Sequence, residues 1–182
     1  MWIYIIVGIT LIMLGYLFIL YNRFIKQTNQ IKEAFSTMDV YLKKRWDLIP
    51  NMIEIVKGYT KHEQTTLEEV VKLRNHAYDN MSNEDKIMTN EELSKHLPKL
   101  LALVENYPEL KASDQYKDLS MELTKVEDEL VNSRKYYNAT IRNFNNIVEM
   151  FPNNIAAKLL GFKAQKMFQI NEEERNRIKV KL

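Results

Sequence analysis

Residues 119–151 read LSMELTKVEDELVNSRKYYNATIRNFNNIVEMF, and the apolar spacing in this stretch decides the fold. Leu119, Leu123, Val126, Leu130, Ser133, Tyr137, Ile141, Phe144, Val148 and Phe151 follow one another in steps of 4-3-4-3-4-4-3-4-3. Alternating steps of three and four keep side chains on one face of a helix, and the extra four near Tyr137 is a stutter in the heptad. Ser113 is placed to cap this helix and Pro152 to end it. A helix with one long apolar stripe cannot bury it alone, so other helices must cover it.

Working outward, three more stripes are found. Phe24, Ile31, Phe35, Met38 and Leu42 share a face, interrupted by Thr28. Next, Asp47 is read as an N-cap that puts Pro50 in the first turn of a new helix, so a sharp reversal is expected there. That second helix carries Met52, Val56, Tyr59, Leu67, Val70, Leu73 and Ala77 and should end near Asn80. The polar stretch 81–90 is expected to be a mobile loop. Thr89-Asn90-Glu91-Glu92 reads as a capping box that opens a third helix, with Leu93, Leu97, Leu100, Val104 and Tyr107 on its stripe. Pro98 should kink or split that helix, and Tyr107-Pro108 should close it. After Pro152 a short segment, 154–162, precedes a charged tail expected to be loosely held from Glu172 onward.

At the other end, residues 2–21 read WIYIIVGITLIMLGYLFILY, without one charge. Twenty helical residues span roughly 30 Å, the thickness of a bilayer's hydrocarbon core. A cleaved signal peptide would want basic residues in front, a shorter apolar stretch and a small-residue cleavage site, and this segment has none of them. Trp2, Tyr4, Tyr16 and Tyr21 sit near its two ends, where amphipathic rings favour the headgroup level. Arg23, Lys26 and Lys32 follow the span and nothing basic precedes it, so the positive-inside rule places the N-terminus outside and the C-terminal domain in the cytoplasm. Gly8 and Gly15 share a face, a weak invitation to helix association. The 3–4 alternation runs unbroken from the span into the first stripe, so one helix should continue out of the membrane.

The expected fold is therefore all-α: a single N-terminal transmembrane helix continuing into an elongated antiparallel helical bundle of the four-helix type. Its expected divisions are an anchor (1–22), a bundle (23–162) and a charged tail (163–182). Composition agrees, since 4 Gly and 4 Pro in 182 residues leave few turns for a β-rich fold.

Chemistry finds little support. There is no Cys, which excludes disulfides, thiolate metal sites and a cysteine nucleophile. His62-Glu63 begins like the zinc-protease signature, but Thr66 stands where the second histidine is needed. His62, His76 and His96 supply no Glu-x-x-His pair for a di-iron bundle, and Glu92 with His96 is one i,i+4 pair, which reads as a surface contact. Gly58 and Gly161 are isolated, so no phosphate loop is present. A net charge of +2 with both signs interspersed reads as solvated helix faces, not as a nucleic-acid stripe. No metal, cofactor or catalytic residue is assigned.

What remains is a set of polar residues beside the stripes: Arg45, Asp47, Asn51, His62, Glu63, Arg74, Arg134, Asn138 and Asn145. The plainer account is that they cap helices and cross-brace the bundle, since buried polar groups are normally satisfied. The functional account is a partner-docking surface.

Several of these residues lie in longer distinctive stretches. They are Lys44-Arg45-Trp46-Asp47-Leu48-Ile49-Pro50-Asn51, and Val56-Lys57-Gly58-Tyr59 with His62-Glu63. Further on come Tyr107-Pro108-Glu109-Leu110-Lys111, then Ser133-Arg134-Lys135-Tyr136-Tyr137-Asn138 running through YNATIRNFN to Asn145. Phe151-Pro152 and Gly161-Phe162 complete the set, and in these stretches the chain resembles the LemA family. The chain departs from the family pattern at Lys135 and at Pro98. The resemblance implies a single-pass membrane protein with a helical-bundle domain and no assigned enzymatic activity. It also implies a setting of membrane assembly, since one relative takes part in building magnetosome membranes and family members are often encoded near membrane proteases.

The expected function is a non-enzymatic, membrane-anchored scaffold or adaptor at the cytoplasmic membrane. Its expected partners are the lipid bilayer through residues 2–21 and a second membrane protein, such as a membrane protease. The alternative is a self-assembling, membrane-shaping homo-oligomer. A cryptic enzyme is the least supported of the three.

Overall fold

The structure is a computed structural model that describes residues 1–59 and 78–168. These residues form five α-helices and one short 3₁₀ turn, with no strand among them. Helix α1 is Trp2–Tyr59, a 3₁₀ turn covers Tyr78–Asn80, α2 is Asn83–Glu105, α3 is Pro108–Ala112, α4 is Asp114–Glu149 and α5 is Asn153–Leu160. The chain divides into two compact units, Met1–Ser36 with Arg134–Leu182, and Thr37–Ser133.

In the first unit α1 and α4 run antiparallel. The Phe35 ring meets Tyr137 at a centroid distance of 5.8 Å, while Tyr16 reaches Asn153, just beyond the end of α4, through a 3.0 Å hydrogen bond. Leu20, Phe24, Ile31, Ile141, Phe144, Val148, Ala156 and Ala157 make the core between them. Fully burying one such large apolar side chain stabilises by roughly 1.5–3 kcal/mol. Thr28, the polar break in the stripe, donates its hydroxyl hydrogen to the Phe24 carbonyl at 2.9 Å and so brings its own partner. Helix α5 closes on Gly161, whose φ of 79° only glycine adopts without strain. The Phe162 N–H then bonds back to the Ala157 carbonyl at 2.9 Å, a Schellman closure. That turn lays the Phe162 ring 4.9 Å from Phe24 and 6.2 Å from Tyr21.

In the second unit Ile49, Met52, Ile53 and Val56 of α1 are buried, as are Leu93, Leu100 and Val104 of α2, Leu110 of α3, and Leu123, Val126 and Leu130 of α4. Here α1 and α2 run in the same direction, since Asp39 pairs with Lys86 and Arg45 with Asn90 and Ser94.

The continuous α1 confirms that one helix passes from the apolar span into the domain, and Phe24, Ile31, Phe35, Met38 and Leu42 are all buried as their spacing predicts. Three expectations need correction. The reversal at Asp47-Pro50 does not occur: α1 carries Pro50 in its interior and continues to Tyr59. The missing N–H costs a hydrogen bond, and the burial of Ile49, Met52, Ile53 and Val56 around it offsets that loss. The stretch 81–90 is not a loop. Its α2 starts at Asn83, capped by Ser82, whose Oγ accepts from the Asp85 N–H at 3.1 Å. Asn90, read as part of a capping box, is instead fully buried in mid-helix and donates to the Lys86 carbonyl. Pro98 lies inside α2, which runs on past it to Glu105. The later part of the second-helix stripe, Leu67 to Ala77, and the tail from Glu172 lie outside the described residues.

Candidate functional site

The predicted polar residues fall into separate groups. In the first unit Arg134, Asn138 and Asn145 lie along one side of α4, at intervals of four and seven residues. They converge on the segment that follows α5. Asn138 donates Nδ2–H to the Phe168 carbonyl at 2.9 Å and accepts the Phe168 N–H on Oδ1 at 2.8 Å. Asn145 does the same to Gln165, with both contacts at 2.8 Å. The Arg134 guanidinium lies over the Phe168 ring, 4.5 Å from its centroid.

The spacing explains why both asparagines succeed. Seven residues of α-helix rise about 10.5 Å, and three residues of extended chain cover about 9–10 Å. Two turns of α4 therefore match one three-residue step of an extended segment. A primary amide has a donor and an acceptor side by side, the complement of one residue's N–H and C=O. Such a pair grips main chain and ignores side chains, apart from the aromatic ring that Arg134 covers. Residues 163–168, grouped with the tail by their charge, are thus fastened to α4 at two points. Phe168 is buried to 7% exposure.

In the second unit Arg45 is 1% exposed and joins three helices. Its Nη1 donates to the Asn90 carbonyl at 3.2 Å and to Ser94 Oγ at 2.9 Å, both on α2, and its Nε lies 2.7 Å from Glu127 Oε1 on α4. A guanidinium buried with a carboxylate and two neutral acceptors is a structural brace. A second brace surrounds Tyr78, whose hydroxyl donates to Asp39 Oδ1 at 2.6 Å while Lys86 Nζ holds Oδ2 at 2.8 Å. Burial, and then the Asp39 carboxylate, push the Tyr78 phenol pKa well above its usual range. Asp47 caps nothing: it is exposed and pairs with Lys43 one turn earlier at 3.1 Å. Asn51 is exposed on α1. His62, Glu63 and Arg74 lie outside the described residues.

Sequence reasoning picked the three α4 side chains but missed Gln165 and Phe168, which they hold. Main-chain groups leave no trace in residue identity, and the one signal was an aromatic residue inside a charged stretch. Glu92 holds Lys95 at 2.8 Å and His96 at 3.7 Å, and Lys95 keeps its carboxyl below the ordinary range. Among the described residues, no group of three or more His, Cys, Asp or Glu side chains could hold a metal ion.

Comparison with known proteins gives a consistent picture. The sequence profile of the LemA family matches residues 34–182. The chain is 29% identical to Protein LemA of Metamycoplasma hominis over 85% of its own length and 71% of that protein's. It is 22% identical to Magnetosome protein MamQ 2 of Paramagnetospirillum magneticum, over 82% of this chain and 64% of that one. It is 32% identical to Magnetosome protein MamQ of Magnetospirillum gryphiswaldense, over 40% of this chain and 26% of that one.

Proposed function

Because this chain belongs to the LemA family, we propose that it acts as a membrane-anchored, non-enzymatic helical scaffold that docks a partner protein at the cytoplasmic membrane. Residues 2–21 cross the bilayer once, with the N-terminus outside and the remainder in the cytoplasm. Support for the span comes from α1, the one helix among those described that is long and apolar enough to cross a membrane. Its apolar side chains from Trp2 to Ile19 are almost all exposed, so no protein core accounts for them. Arg23, Lys26 and Lys32 follow it closely, which supports the orientation.

The observation that carries the docking reading is the Arg134, Asn138 and Asn145 face. A grip that reads main chain accepts any extended segment with a suitably placed aromatic ring. A partner's segment docks by taking the place that residues 165–168 hold in the free chain, and a membrane protein such as a membrane protease supplies it. The test is crosslinking in intact membranes, followed by identification of everything attached, for the wild type and for Arg134→Ala and Asn138→Ala/Asn145→Ala. Loss of one distinct protein from the variants supports docking at this face. Unchanged attachment in folded variants removes it.

A second reading, a self-assembling membrane-shaping protein, draws on the relatives named as magnetosome proteins. Open space around Gly8 and Gly15 on the exposed span also supports it, since another helix could approach closely there. A strictly monomeric species in mild detergent at every concentration counts against it.

A further inference from the structure

The heptad stripe of α4 predicts that Phe151 is buried, yet it is 80% exposed. It does not stand alone. Met150, Ile155 and Leu159 are 61%, 55% and 71% exposed, and Ile155 and Leu159, four apart on α5, share one side of that helix just after the turn that carries Phe151. The other side of α5 is made for protein contact: Ala156 and Ala157 are buried in the core with Leu20 and Phe24 of α1. Helix α5 thus has a small-residue face against α1 and a large apolar flank that none of the described residues covers.

Its position along α1 identifies what covers that flank. Tyr16, inside the apolar span, hydrogen-bonds Asn153 at the start of α5, and Phe162 just after α5 meets Tyr21 and Phe24 at the end of the span. The start of α5 therefore lies level with a residue five positions inside the end of the span, about 7.5 Å along the helix. Interfacial helices sink their apolar faces by roughly 5–10 Å into the headgroup and acyl boundary. Lys158 and Lys163 are exposed nearby, as are Arg23 and Lys26 on α1, which places cations where phosphate headgroups lie. Tyr16 and Tyr21 have the amphipathic rings suited to the same level.

We infer that the Met150–Leu160 end of the first unit is a second membrane element: α5 lies in the bilayer interface beside the anchor, with Phe151, Ile155 and Leu159 among the acyl chains. This inference rests on the reading of residues 2–21 as a membrane span. It adds that the domain does not hang from a free tether. Its end is seated in one leaflet, and this fixes the depth and tilt of α4 and of its asparagine face.

The absence of cysteine makes the test direct. Single variants Ile9→Cys, Met121→Cys, Ile155→Cys and Leu159→Cys of the full chain are labelled with an environment-sensitive fluorophore. They are then reconstituted in vesicles of phosphatidylcholine and phosphatidylglycerol. All four native side chains are exposed, so labelling leaves both cores intact. Lipids spin-labelled near the headgroup should quench positions 155 and 159 several-fold more than position 121, and deeper spin labels should quench position 9 most. Quenching at position 9 with positions 155 and 159 indistinguishable from 121 overturns the inference and leaves the anchor standing. No quenching at position 9 overturns both.

Discussion

Asn138 and Phe168 exchange a pair of hydrogen bonds across thirty residues of sequence, amide to main chain in both directions, at 2.9 and 2.8 Å. Asn145 repeats the exchange with Gln165. Two turns of helix match three residues of the segment here, so the two grips reinforce one another.

Each grip replaces two water contacts with two internal hydrogen bonds, a net gain of about 1–3 kcal/mol. Asn138→Ala or Asn145→Ala should therefore free the segment 163–168 while leaving the helices folded. Hydrogen exchange should show the amides of Gln165 and Phe168 losing protection, with those of Ile141 and Phe144 unchanged. Asn138→Asp keeps the acceptor and loses the donor, and should fall between the two.

Arg45 is a buried charge whose partners sit on two other helices. Arg45→Ala leaves Glu127 and the Asn90 carbonyl without it, and because the Glu127 side chain is one-third exposed the loss should fall below the roughly 3–5 kcal/mol of a fully buried pair. Chemical denaturation should show that loss. Arg45→Met fills the space without a charge and should recover part of it.

Pro50 sits inside a continuous helix and cannot donate to the Trp46 carbonyl. Proline in a helix interior is about 3 kcal/mol less favourable than alanine. Pro50→Ala should raise the unfolding free energy measured by chemical denaturation, by up to about 3 kcal/mol. A chain that reversed direction at Pro50 would lose stability instead.

The Tyr78 phenol is held protonated by burial and by Asp39. Its folded pKa lies above the unfolded value of about 10, so the folded chain keeps a proton that the unfolded chain gives up. The stability this contributes is complete below about pH 10 and falls as pH rises beyond it. Tyr78→Phe should remove that part of the alkaline loss, which denaturation at pH values on either side of 10 would measure.

Much of the fold is legible in the sequence because burial repeats with the helix. Phe24, Ile31, Phe35, Met38 and Leu42 announce their face by spacing alone, and all are buried. Where a local rule competes with tertiary packing, sequence reasoning fails. Pro50 looks like a helix start until the apolar residues around it are seen to be buried. Thr89 to Glu92 and Ser82 to Asp85 both fit a capping box, and only the structure shows that the earlier one opens α2. Phe151 fits the stripe of α4, but the stripe continues past the protein that covers it. For the candidate site, Arg134, Asn138 and Asn145 stand out as polar residues beside an apolar face, whereas their partners are main-chain groups and carry no residue signature.

Arg142 is exposed on α4 between Asn138 and Asn145. A photoreactive side chain placed at that position in intact membranes tests the docking account most directly. The account predicts a crosslink to one distinct second protein, lost when Asn138 and Asn145 are both alanine. Crosslinks confined to copies of this chain, or a second protein that persists in the double variant, would contradict it.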